Sequence, residues 1–103
     1  MKRHLDVTPQ ARRDIAAILE WYRQSLGPRA ARKVAETIRT RLGGLELGRV
    51  KGSGLVAGSP YLRAVAKRHV IIFLADDSTI RIVRIVHGAQ DLEAVAATLS
   101  DKE

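Results

Sequence analysis

Between His69 and Ala75 the chain reads His-Val-Ile-Ile-Phe-Leu-Ala, with Val70 to Leu74 apolar without a break. A short run that is apolar at every position has no polar face to offer water. It fits a strand covered on both sides, so it demands a sheet with something packed on each face. Asp76-Asp77-Ser78 then supplies turn residues whose side chains bond their own backbone. A second β-rich run follows from Thr79 to His87, and Tyr61 to Ala66 reads as another strand upstream. Gly88 breaks the pattern, and Gln90 or Asp91 can cap a short last helix carrying Leu92, Val95 and Leu99.

The N-terminal half has a different period. Leu5-Asp6-Val7 alternates as a short strand does. Thr8-Pro9 is a helix start: threonine caps, and proline suits a first-turn position whose N–H has no partner anyway. Ala11, Ile15, Ile18, Leu19, Tyr22 and Leu26 recur at helical spacing. Gly27-Pro28 ends this helix and opens another, whose stripe is Ala31, Val34, Ile38, Leu42 and Leu45. So short a join predicts an antiparallel helix hairpin. Gly43-Gly44 is unfavourable inside a helix, which places the helix end between Leu42 and Leu47. Gly48 to Pro60, with four glycines, Arg49 and Lys51, lacks the spacing of a phosphate loop and reads as a flexible connection. The expected fold is α+β, a single domain over residues 1–103. It has an N-terminal strand, a helix hairpin on a mostly antiparallel sheet of about four strands, and a short C-terminal helix.

Charge narrows the partners. Eighteen lysines and arginines against eleven acids leave a net charge of +7, which favours an acidic partner. Cysteine is absent, which removes disulfides, thiolate chemistry and cysteine-type zinc sites. His4, His69 and His87 are too scattered to suggest a metal, and no cofactor is expected. No apolar run reaches membrane-spanning length. Met1 to Asp6 lacks the apolar stretch of a secretion signal. Both features point to a cytoplasmic protein with no membrane partner.

If Asp76 to Ser78 makes the turn, His87 falls opposite Lys67 or Arg68, with His69 at the same end of the sheet. Strict alternation puts Arg81, Val83, Ile85 and His87 on one face. Ile80, Ile82, Arg84 and Val86 share the other, the more apolar, which meets the helices. Lys67, Arg68, Arg81 and His87 then form a basic patch on a partly open face, a candidate target-binding surface. Histidines titrating near neutrality beside arginines could also serve RNA cleavage, with His69, His87, Arg68 and Arg81 as the candidate groups. Alternatively His87 merely ends a strand and the arginines are a solvated rim. The charge permits direct nucleic-acid contact, whereas four aromatic residues, Trp21, Tyr22, Tyr61 and Phe73, are too few for a single-strand stacking platform. Trp21 and Tyr22 are adjacent and cannot both face one core. An exposed Trp21 would suit a partner-binding groove.

Several strings together resemble the ParE/RelE toxin superfamily of bacterial toxin–antitoxin systems. They are Thr8-Pro9-Gln10-Ala11-Arg12-Arg13-Asp14-Ile15, Ala30-Ala31-Arg32-Lys33-Val34, and Ile71-Ile72-Phe73 followed by Asp76-Asp77. The most telling is Ile82-Val83-Arg84-Ile85-Val86-His87-Gly88-Ala89-Gln90-Asp91-Leu92. The resemblance implies a cognate ParD-like antitoxin whose C-terminal segment wraps the toxin. The helix-hairpin groove near Trp21 and the open sheet face near Arg81 are the candidate contacts. RelE-like members cleave messenger RNA on the ribosome; ParE-like members are associated with DNA gyrase inhibition. The nuclease branch carries cations on its middle strands, an arginine just past the last strand's glycine, and a late tyrosine. Here Val70 and Ile71 occupy the middle strand, Ala89 and Gln90 follow Gly88, and no aromatic residue follows Phe73. The resemblance therefore implies a gyrase inhibitor without catalytic residues, with a ribosome-dependent endoribonuclease as the alternative.

Overall fold

A computed structural model describes residues 2–99. Strand β1 (His4–Val7) leads through Thr8 into helix α1 (Pro9–Leu26), and Gly27 joins it to α2 (Pro28–Glu46). Strands β2 (Ser53–Gly54), β3 (Leu62–Ala66), β4 (His69–Ala75) and β5 (Thr79–His87) follow, and α3 (Leu92–Leu99) is the last described element. The sheet order is β1-β5-β4-β3-β2, one strand more than expected because two residues of the glycine-rich segment pair with β3. The β1–β5 pair is parallel and the other pairs are antiparallel.

Local chemistry explains the entry to α1. Thr8 Oγ1 accepts the Ala11 N–H at 3.2 Å, and the same hydroxyl donates to the Ile82 carbonyl at 2.8 Å. One residue thus caps the helix and ties it to the middle of β5. At the other end Gly27 adopts φ 97°, and its N–H bonds the Arg23 carbonyl. An L-residue with a side chain would resist that backbone, so the hairpin turns where a glycine permits it.

The glycine pair at 43 and 44 does not end α2, which runs on to Glu46. Tertiary contact outweighs the poor propensity. The Gly44 carbonyl accepts from both Arg49 and Val50, and a methyl group at Gly44 would collide with the Val50 side chain. The segment beyond is a packed strap, not a loose connection. Leu55 and Tyr61 are buried, and Gly52 lies against the Phe73 ring, where any side chain would collide.

Both faces of the sheet are covered, as the β4 sequence demands. On one face Ile71, Phe73, Ile80, Ile82 and Ile85 pack against Ala11, Ile38, Leu42 and Leu45 of the helix hairpin. On the other, Val70, Ile72, Val83 and Val86 meet Leu55, Tyr61 and Leu99. The second face is therefore closed by α3 and the strap. The expectation of a partly open face there is corrected, because the apolar side of α3 supplies its cover. Tyr61 Oη donates to the Leu99 carbonyl at 3.1 Å, tying strap to helix.

Candidate functional site

The register of β4 against β5 decides which candidate residues meet. Ala75 pairs with Ile80 and Phe73 with Ile82, but Ile72 pairs with Arg84. Val83 is the extra residue of a β-bulge. Beyond it every side chain is switched. Ile85 joins the helix-facing core with Ile80 and Ile82, while Val86 faces the second core with Val83. His87 consequently pairs with His69, not with Lys67 or Arg68, and lies on the side of Ile85. Strict alternation had placed Arg81 and His87 on one face; the bulge separates them.

An acidic residue that the sequence reading passed over holds this bulge. Asp14 on α1 is 10% exposed at its side chain. Its Oδ2 accepts the Ile85 N–H at 2.9 Å and Arg84 Nε at 2.7 Å; its Oδ1 accepts Arg84 Nη2 at 3.3 Å and Gln10 Nε2 at 3.0 Å. The bulge leaves a main-chain donor out of the ladder, and the carboxylate satisfies it. Arg84, expected on the helix-facing side, is switched as well: it pairs with Ile72 of the second face and reaches α1 through this ion pair. The sequence signal was an arginine among apolar neighbours on a core-facing strand, which calls for an acid on the opposing helix.

At the far end of the sheet the switched register assembles a compact group. The His69 and His87 rings are 5.7 Å apart, and Tyr22 lies 5.9 Å from His69. Trp21 stacks edge-on against Tyr22 at 5.1 Å and is 60% exposed. His69 is 5% exposed. Burial, and then the neighbouring His87, hold its imidazole pKa below the ordinary 6.5, so the ring resists protonation. His87 is exposed, and its Nδ1 accepts the Ala89 N–H at 3.0 Å. The proton of the neutral ring therefore sits on Nε2.

Lys67 and Arg68 form the two-residue turn between β3 and β4, beside this group. Lys67 has φ 56°, an uncommon conformation for a residue with a side chain. The Arg68 carbonyl accepts the Gly88 N–H at 2.8 Å, which holds the end of β5 against the turn. A cavity of about 140 Å³ opens here, lined by Tyr22, Val34, Ile38 and His69 with Lys67 and Arg68. The helical spacing puts Tyr22 on the core stripe of α1, and nothing in the sequence joins it to His69.

Lys67, Arg68, His69 and His87 are thus brought together, and Arg81 is not. Arg81 pairs with Asp6 through a 3.2 Å ion pair near the start of β5. Six residues of strand, roughly 20 Å, separate it from His87. Trp21 lies toward the histidine end, so it cannot share a single pocket with Arg81. Among the described residues no cluster of histidines and acids is able to hold a metal ion, and no helix is long and apolar enough to cross a membrane.

Residues 5–92 match the family model for the ParE toxin of the type II toxin–antitoxin system parDE. The chain belongs to this family. ParE-like folds recur among solved structures. A chain of the chromosomal ParDE system of P. aeruginosa superposes with a TM-score of 0.71 at 20% identity, covering 84% of this chain and 96% of that one. A chain of the RelBE2 toxin–antitoxin complex of Mycobacterium tuberculosis gives 0.54 at 22% identity, with 84% and 99% covered. One from the E. coli DinJ–YafQ complex gives 0.62 at 14% identity, with 86% and 96% covered. No match was found among curated protein sequences. The protein is a type II toxin of the ParE family, and its fold is shared by chains of the solved ParDE and RelBE2 systems.

Proposed function

We propose that this ParE-family toxin inhibits DNA gyrase without cleaving RNA, acts in the cytoplasm, and is neutralised by a cognate ParD-like antitoxin. The observation that carries the reading is the state of the two histidines. A general acid and base must reach substrate and exchange protons near neutral pH. His69 is buried and held neutral, and His87 has Nδ1 engaged by a backbone amide. Such a pair is better suited to shaping a contact surface than to moving protons. Lys67, Arg68 and His87 form the proposed target contact, at the end of the sheet where the β3–β4 turn projects. Arg81, at the other end, is assigned to the antitoxin.

The antitoxin reading draws on the solved relatives, several of which are toxin–antitoxin complexes. Trp21 and Arg81 lie toward opposite ends of the sheet, so a single antitoxin touching both must wrap around the toxin. Trp21 is an exposed aromatic ring of the kind that anchors interfaces.

Plasmid supercoiling by purified gyrase, titrated with antitoxin-free toxin, tests the proposal. Loss of supercoiling or accumulation of cleaved DNA, both reversed by antitoxin, is the expected result. Full gyrase activity with folded toxin refutes it. The adjacency of His69 and His87 beside Arg68 favours one second reading, ribosome-dependent messenger RNA cleavage. Cleaved messages on translating ribosomes, abolished by His87→Gln, would establish that instead.

A further inference from the structure

The positive charge of this chain is not spread over its surface. Residues 24–75 hold ten lysines and arginines against two acids, whereas the rest of the sequence holds eight against nine. The whole excess therefore lies on α2, the strap and the β3–β4 hairpin. Pairing follows the same division. Lys2, Arg23, Arg81 and Arg84, all outside that stretch, make ion pairs. Among the described residues none of the ten cations inside it makes an ion pair or a side-chain hydrogen bond.

Four of these cations line one groove of about 820 Å³ between α2, the strap and the β3–β4 turn. Lys33, Thr37 and Arg41 stand along one face of α2 at four-residue spacing, with Arg49 and Lys67 beside them and Glu36 the single acid. Keeping like charges together without partners opposes folding, and an anionic ligand would relieve it. Lys33 and Arg41 are eight helical residues apart, about 12 Å. Over that length one strand of duplex DNA presents three to four phosphates. The groove contains no aromatic ring, and its large apolar lining is Leu47 and Val50. It therefore lacks both the stacking surface of a single-strand binder and the aromatic anchors of a protein interface.

We propose that this groove grips the sugar–phosphate backbone of a nucleic-acid duplex through Lys33, Arg41, Arg49 and Lys67. The inference does not depend on the gyrase reading: a toxin without effect on gyrase would still bind duplex.

Fluorescence anisotropy with the whole chain and a labelled duplex tests it, using B-form DNA in one arm and A-form RNA of the same sequence in the other. Four phosphate contacts predict a slope of about −3.6 for log affinity against log salt, a roughly 150-fold loss between about 50 and 200 mM. The triple variant Lys33→Gln/Arg41→Gln/Arg49→Gln should reduce the slope to about −0.9. Arg12→Gln/Arg13→Gln/Arg23→Gln removes the same charge from α1, outside the groove, and should keep the original slope. Gly43→Glu offers a single-site check, because a Cβ at Gly43 meets nothing within 4 Å and its carboxylate would enter the groove. It should weaken duplex binding several-fold in a folded protein. Preference for one duplex identifies the source of the phosphates, and either preference supports the groove. Equal loss of slope in both triple variants overturns the proposal. So does absence of duplex binding at low salt, including the case in which polyglutamate binds instead and marks an acidic protein as the occupant.

Discussion

Replacing Asp14 by alanine tests how the histidine end of the sheet is built. The carboxylate satisfies the Ile85 amide inside the fold and grips Arg84, whose side chain is 29% exposed. These two losses differ in size. An amide left without a partner in a closed environment costs about 1–3 kcal/mol. Arg84 is able to turn toward water, so its share is nearer the roughly 0–1 kcal/mol of an exposed pair. Together about 3 kcal/mol should be lost, which for a domain of this size lowers the melting temperature by roughly 12–24 °C. Asp14→Asn keeps an acceptor for the amide and loses only the charge, so about 1 kcal/mol is expected. Urea denaturation of both variants, read as unfolding free energy, separates the contributions. A loss below about 1 kcal/mol for the alanine variant would refute the claim that Asp14 holds the bulge. Equal losses for alanine and asparagine would show that charge, not the amide bond, carries the effect.

Three further outcomes follow from the same structure. Gly43→Ala should stabilise the protein by about 0.5–1 kcal/mol, since it improves helix propensity in open space, while Gly44→Ala should destabilise it because Val50 is in the way; melting temperatures moving in the same direction would contradict this. Unfolding free energy should fall as pH drops below 6.5, because the unfolded chain protonates His69 more readily than the folded one does. The contribution is present above 6.5 and is lost as pH falls toward the lowered folded value, so His69→Gln should flatten that part of the denaturation profile. Trp21→Ala should weaken antitoxin binding at least tenfold if its exposed ring is an anchor, and calorimetry giving the wild-type affinity would remove it from the interface.

The parts of the fold that local chemistry determines were readable from residues alone. Thr8-Pro9 starts a helix wherever it lies before an amphipathic stripe, and Gly27-Pro28 turns one. The apolar run of β4 announced two covered faces, and Asp76 accepts the Ser78 and Thr79 amides as a turn aspartate does. What escaped depends on distant partners. Val83 is an ordinary strand residue with no feature that marks a bulge, yet it determines which face His87 takes. Gly44 reads as a helix breaker until Val50 is seen against it. The candidate site was therefore legible in its residue types at the histidine end, but Arg81 was wrongly joined to it and Asp14 and Tyr22 were left out.

The parallel pairing of β1 with β5 has a consequence for synthesis. Leu5 finds its neighbour only at Ile80, and Thr8 bonds Ile82 across 74 positions. A growing chain therefore cannot seat β1, or anchor the start of α1, until β5 has been translated. Such remote closure slows folding and leaves apolar segments uncovered meanwhile. Until β5 emerges, the apolar faces of β1 and α1 lack their native cover and lie open to proteases.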